Sequence, residues 1–257
     1  ELEYVTGVFD TVEVNGTFYR LTTARAARGW YEAAPDDFVY AVKGSRFITH
    51  NKKLADSRGP LANFLAAGVL ELADKLGPVL WQLPENLHFD PDRLRGFLEL
   101  LPSSLGEAAE LARDHDDRVK DPGLGPDDDT PLRHALEVRH DSFLTEESVE
   151  LLRHHGVALA FSHSSVFPYV EELTADFVYL RLHGPGQIYE SAYGKDALEG
   201  WAERIEAWHE GGEPDEPVRI SEREPPSTTG RDVYVYFDND VHAHAPREAR
   251  ALREMTG

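Results

Sequence analysis

Glu137 and Arg139 stand two apart in the run Ala135–Arg139, and Arg181 and His183 two apart in Phe177–His183. Residues two apart in an extended chain point to the same side, so each run delivers a pair of ionisable groups to one face. Glu13 and Asn15 repeat the spacing in Thr11–Asn15. Lys43 ends Phe38–Lys43, Gln82 stands in Val79–Leu83, and Asp238-Asn239-Asp240 follows Asp232–Phe237. Carboxylates set among cations suit acid–base chemistry: a neighbouring cation keeps one carboxylate ionised, while burial raises the pKa of another. On that chemistry Glu13 and Glu137 serve as acid and base, and His183 shuttles a proton. Lys43 joins them as a catalytic candidate and, with Arg139 and Arg181, holds a phosphate or carboxylate. A Schiff-base role for Lys43 is opposed by its carboxylate neighbours, which would keep it protonated. Asn15, Tyr19, Gln82, Tyr189, Asn239 and Asp240 complete the expected substrate-binding set.

Each of these residues also has a structural reading. Glu13 can accept hydrogen bonds from a loop, Lys43 can be its counter-ion, and Gln82 before Leu83-Pro84 can fix a turn. Glu137 and Arg139 can form an ion pair, and Asp238–Asp240 can cap a loop. The joint pattern carries more weight than any member, because strands buried on both faces should be apolar and here they end in polar groups.

Other clusters say less. His242-Ala243-His244 has metal-binding spacing but falls in a loop. His154-His155 ends a helix, where histidine meets the helix dipole favourably. His163-Ser164-Ser165 follows a strand without marking a nucleophile, and Gly184-Pro185-Gly186 is a turn with weak phosphate-nest character. No Walker A loop, GxGxxG fingerprint, GxSxG elbow or HExxH pair occurs.

The elements that must position these residues alternate along the chain. Strand-like runs fall at Thr11–Asn15, Phe38–Lys43, Val79–Leu83, Ala135–Arg139, Val157–Phe161, Phe177–His183 and Asp232–Phe237. Helical patterns fall between them at Ala24–Ala34, Pro60–Leu76, Pro91–Leu101, Thr145–His155, Asp196–Trp208 and Pro246–Met255. Strand alternating with helix predicts parallel strands and crossover helices. The expected fold is an α/β (β/α)8 barrel of TIM type, read as a single domain over residues 1–257. Seven strands are visible and Glu1–Val8 reads as the end of a helix, so the barrel is expected to lack its first strand in this chain. An open doubly wound sheet is the alternative. Residues 113–131 and 210–230 are acidic, rich in Pro and Gly and without apolar periodicity; they read as solvated insertions or mobile loops.

Composition narrows the function. The 257 residues carry a net charge of -21, which removes the basic face that extended nucleic acid requires. There is no cysteine, so thiolate metal sites, iron–sulfur clusters and cysteine nucleophiles are excluded. No apolar run is long enough for a membrane span, and the first residues lack signal-peptide character. The lack of cysteine does not settle the compartment, and a cytoplasmic protein is the default expectation.

With these strand ends in view, the sequence resembles the YecE-like family, also called domain of unknown function 72. The matching segments are Phe9–Leu21, Phe38–His50, Gly77–Pro84, Leu136–Phe143, Phe177–Gly184, the tyrosines Tyr189 and Tyr193, and Val233–Asp240. The resemblance covers the chain apart from the two acidic stretches and implies a TIM barrel. The family's opening strand, with its Gly-x-Ser-Gly-Trp-like motif, has no counterpart here. Where the family often carries an acidic residue after the sixth strand, this chain has His163-Ser164. The family has no settled activity for the resemblance to lend.

The leading expectation is therefore an enzyme, a hydrolase, lyase or isomerase, acting on a small polar or anionic metabolite, with any cofactor unknown and none required by the sequence. A second reading is a metal-dependent hydrolase or isomerase with Glu13, Glu137, His183 and Asp240 as ligands, opposed by the interleaved Lys and Arg. A third is a non-catalytic module for a nucleotide or single-stranded nucleic acid, with Tyr19, Tyr189 and Tyr193 stacking on bases.

Overall fold

The computed structural model describes residues 2–257. The chain forms two compact units, one ending at Ala135 and the other Leu136–Gly257. Helices and strands alternate and the strands pair in parallel, the α/β architecture that the sequence predicts.

In the first unit, α1 (Leu2–Val8), β1 (Thr11–Val14), α2 (Gly16–Tyr19), α3 (Ala24–Ala33) and β2 (Val39–Lys43) lead to α4 (Arg58–Ala66). They are followed by β3 (Leu76–Gln82), α5 (Pro91–Leu98) and α6 (Leu105–Ala112). β1 pairs with β2 from Thr11 opposite Val39 to Val14 opposite Val42, and β2 pairs with β3 with a register shift between Tyr40 and Val42. Helix starts follow local chemistry. The side chains of Thr23, Asp90 and Ser104 accept the backbone N–H three residues on, which satisfies a donor the helix leaves open.

Two helices differ from expectation. The pattern over Pro60–Leu76 is broken at Gly68, whose φ of 134° lies outside the helical region; α4 stops at Ala66 and a tight 3-10 segment, Val69–Lys75, follows. Helix α6 forms where no helical pattern is expected, although Ser104-x-x-Glu107 is a capping signal and Leu105, Ala108, Ala109 and Ala112 are buried at helical spacing. Glu107 accepts from the Ser103 backbone N–H and hydroxyl. The acidic stretch at 113–131 contains no helix or strand but is anchored: Gly123 N–H donates to the Ala66 carbonyl, and Asn63 bonds Asp116 from both ends of its amide.

Fully buried Trp81 centres the core of this unit, between the rings of Phe64 and Phe97. Its indole N–H donates to His134 Nδ1 at 3.2 Å, and His134 Nε2 lies 2.8 Å from the Pro102 carbonyl. The first bond fixes Nδ1 as acceptor, so Nε2 carries the proton. Burial lowers the His134 pKa to about 4, despite the favourable carbonyl contact. In the unfolded chain the same ring takes up its proton near pH 6.5, so unfolding consumes a proton between these limits. Stability therefore falls as pH drops through this window. The expected loss is ~2 kcal/mol between pH 7.5 and 5 in urea unfolding. His134→Gln should flatten that part of the profile, and an unchanged slope in the variant would contradict the assignment.

β4 (His134–Glu137) carries the chain across the boundary between the units. The second unit continues with α7 (Glu146–His154), capped by Thr145, then β5 (Ala158–Leu159) and β6 (Phe161–His163). The predicted strand Val157–Phe161 is thus two short segments separated at Ala160, whose N–H donates to the Leu136 carbonyl. β7 (Phe177–Leu182), α8 (Lys195–His209), β8 (Asp232–Phe237) and α9 (Ala245–Thr256) follow, with strand order β6-β7-β8. Leu198, Trp201, Ile205 and Trp208, the predicted apolar face of α8, pack with Val178, Leu180, Leu182 and Leu252 in one core.

The stretch at 210–230 also lacks helix and strand, yet two buried carboxylates hold it. Glu171 accepts from Arg204 and the Val218 N–H; Glu172 accepts from Arg153 and the N–H groups of Ile220 and Ser221. Among the described residues no helix is long and apolar enough to cross a membrane.

Candidate functional site

Parallel strands deliver their C-terminal residues to one end of a sheet, and in the second unit those residues form a single network. Glu137, the last residue of β4, is wholly buried. Its Oε1 accepts from Ser162 Oγ at 2.7 Å, Arg139 Nη2 at 2.8 Å and Nε at 3.2 Å, and faces His183 Nε2 at 3.1 Å. Its Oε2 accepts from Arg181 Nη1 at 2.9 Å. Burial alone would raise the Glu137 pKa. The charges of Arg181 and Arg139, with the His183 contact, outweigh it and hold the carboxyl well below the usual carboxylate range.

The network reaches solvent at Asp238, just past β8. Asp238 Oδ2 lies 3.3 Å from Arg181 Nη2 and 3.2 Å from His183 Nδ1, and its side chain is 37% exposed. The Nδ1 contact is an ion-pair distance without hydrogen-bond geometry. His183 thus bridges a sealed carboxylate and an open one. Arg139 is held by both neighbours: Glu137 takes its Nε and Nη2, and its guanidinium carbon sits 3.5 Å from the centre of the Phe167 ring. The rings of Phe167 and Tyr189 meet His183 edge to face at 5.8 and 5.6 Å.

A surrounding shell fixes the loops. Tyr193 hydroxyl accepts from the Gly184 N–H and bonds His163 Nδ1 at 2.9 Å; burial raises the Tyr193 pKa and lowers that of His163. Asn239 is wholly buried. Its amide donates to the Ser191 carbonyl and to Glu248 Oε2, while Glu248 Oε1 accepts from the N–H of Tyr193. Asn239 therefore ties together the loops after β7 and β8. Asp240 is exposed and Tyr189 half-buried, with a left-handed φ of 66° that holds its N–H against the His183 carbonyl.

The expected residues of the first unit lie along β1, β2 and β3 and in α2 with the residue before it. Lys43 is buried at the end of β2 with Nζ 4.6 Å from the centre of the Phe18 ring, and Thr17 Oγ1 donates to its carbonyl. Next to it Gly44 approaches Trp81 so closely that a Cβ would lie 2.3 Å from the indole. Asn15 precedes α2, with its Oδ1 buried and without a hydrogen-bond partner among the described residues. Tyr19 is 71% exposed, its ring edge-on to Phe18. Glu13 and Gln82 are half-buried in β1 and β3. Among the described residues no group of three or more His, Asp or Glu side chains is placed to hold a metal ion.

The family profile described as "Protein of unknown function DUF72" matches residues 1–257. The chain belongs to the DUF72 family. Among its relatives, the UPF0759 protein YecE of Escherichia coli (strain K12) is 26% identical over 213 residues, covering 79% of this chain and 72% of that protein. Among solved structures, a DUF72 family protein of Enterococcus faecalis V583 superimposes with a TM-score of 0.71 at 14% identity, over 100% of this chain and 88% of that one. A DUF72 family protein of Thermotoga maritima MSB8 gives 0.68 at 23% identity, over 99% and 88%. These likenesses show a shared fold.

Sequence reasoning missed three members of this DUF72 network. Ser162 carries no motif and is found only through its bond to Glu137. Asp238 stood in a polar run with its two neighbours, and only the strand end decides which of the three faces His183. Phe167 lies in an irregular loop that no periodicity places.

Proposed function

We propose that this DUF72 protein is an enzyme that uses acid–base chemistry on a small polar or anionic metabolite, with the strand-end network of the second unit as its reacting centre. The observation that carries the reading is the link from sealed Glu137 through His183 to half-exposed Asp238. Charged groups are costly to bury, and a balanced ionic network that leaves one carboxylate at the surface is more than packing needs. Asp238 is the group that takes and returns a proton on the substrate. His183 relays charge between the two carboxylates, and Glu137 acts as a positioning residue, because its oxygens are already engaged by four side chains.

The test is depletion of a metabolite from a small-molecule extract, followed by mass spectrometry, for the wild type and Asp238→Asn. Asparagine keeps the shape of Asp238 but cannot take up a proton, so turnover should fall at least about 100-fold, the usual scale of a lost general acid or base. Equal depletion by both proteins, or none by the wild type, would overturn the reading.

A further inference from the structure

The hydrogen-bond inventory of this site says what kind of anion it suits. Arg139 is 92% buried by its 8% relative exposure, and its Nε and Nη2 are committed to Glu137. Its Nη1 makes no hydrogen bond among the described residues, and it is not sealed from solvent. Phe167 covers one face of the guanidinium, so the plane is fixed and a single edge is presented. Arg139 and Asp238 each lie one contact from the same His183–Glu137 pair.

Charge is also constrained. The two arginines of the network, Arg139 and Arg181, are matched by the two carboxylates, Glu137 and Asp238. A phosphate monoester brings close to two negative charges and three acceptor oxygens, and needs several open donors. This network has one open guanidinium edge and no surplus of arginine charge. A carboxylate needs less: one oxygen on Arg139 Nη1, with a hydroxyl or ammonium on the neighbouring carbon donating to the exposed carboxylate of Asp238.

We infer that the site takes a hydroxy acid, sugar acid or amino acid, a carboxylate with an adjacent donor, in preference to a phosphate ester. Arg139 binds the ligand carboxylate and Asp238 reads the neighbouring donor. This assignment rests on the proposed site above but can fail separately from its chemistry.

The experiment is calorimetric titration of the full chain with matched ligands: glycerate, gluconate and alanine against glycerol 3-phosphate and glucose 6-phosphate, with glycerol and glucose as neutral controls. At least one acid should bind 10-fold more tightly than its phosphate and neutral counterparts. Arg139→Met should weaken that binding at least 10-fold and Asp238→Asn at least 5-fold. Arg139→Lys, which keeps the charge but not the fixed edge, should lie between. Melting curves and circular dichroism confirm that each variant is folded, and Phe167→Leu gives a further readout that leaves the ion pairs intact. Preferential binding of a phosphate ester would overturn the ligand class, even if that ester is turned over at Asp238. Binding of acids unchanged in both Arg139 variants, or no binding across the panel, would overturn it as well. Acid binding without turnover leaves the ligand class standing and removes the enzyme reading.

Discussion

Replacing Glu137 by alanine is expected to destabilise the folded protein by about 3–5 kcal/mol, the largest loss for any single charged residue of the second unit. The reason is what it leaves behind. Arg181 is wholly buried and Arg139 nearly so, and both donate to Glu137. Removing the carboxylate strands two cations in a medium that solvates them poorly, and Ser162 and His183 lose an acceptor as well. Asp238 still reaches Arg181, but from a half-exposed position.

Adding Arg181→Met to the alanine variant should restore about 1–2 kcal/mol, because the partner whose charge went uncompensated is then gone. The Glu137 carboxyl is held well below its ordinary range, so its stabilisation is complete above the unfolded pKa near 4 and is lost only as pH falls through the lower folded value. The cost of Glu137→Ala should therefore be the same at pH 7.5 and pH 5, where the His134 contribution changes. Equilibrium unfolding in urea at the two pH values measures both. A loss below about 1 kcal/mol would mean that the network is solvated and that Glu137 does not organise it.

Strand-end pairs were legible because they need only the two-residue period. Glu137 with Arg139 and Arg181 with His183 follow from which side of a strand each residue occupies, and the structure joins all four. The apolar face of α8 was legible for the same reason at helical period. What was not legible depends on contacts between segments far apart in sequence. Nothing local marks Ser162 as the donor that completes Glu137, 25 residues away, or Glu248 as the acceptor that holds Asn239 and Tyr193. The acidic stretches mislead in the same way. Their composition is that of a solvated chain, yet Glu171 and Glu172, more than forty residues before Val218 and Ile220, anchor the second of them by its backbone.

Gly68→Ala should cost the first unit about 2–5 kcal/mol, because it combines two separate penalties. A φ of 134° belongs to a region that side-chain-bearing residues rarely adopt, so alanine is strained there before any contact is counted. Its Cβ would also lie 2.5 Å from the backbone nitrogen of Ala24 and 2.6 Å from the carbonyl carbon of Thr23. Those atoms belong to the start of α3, where Thr23 caps the helix and Ala24 and Ala27 are buried, so relief requires moving a packed helix end rather than rotating a side chain. Gly59→Ala provides the contrast. It lies inside α4, and beyond its chain neighbours and the backbone of its own helix no atom of the described residues stands within 4 Å of its added Cβ, so the same chemical change should be neutral or stabilise by up to about 1 kcal/mol. Thermal unfolding of the two variants separates local fit from the general preference of helices for alanine over glycine. Similar melting temperatures for both would show that the turn after α4 yields, and that the break in the predicted Pro60–Leu76 helix comes from the packing of Val69–Lys75 and not from the conformation of Gly68.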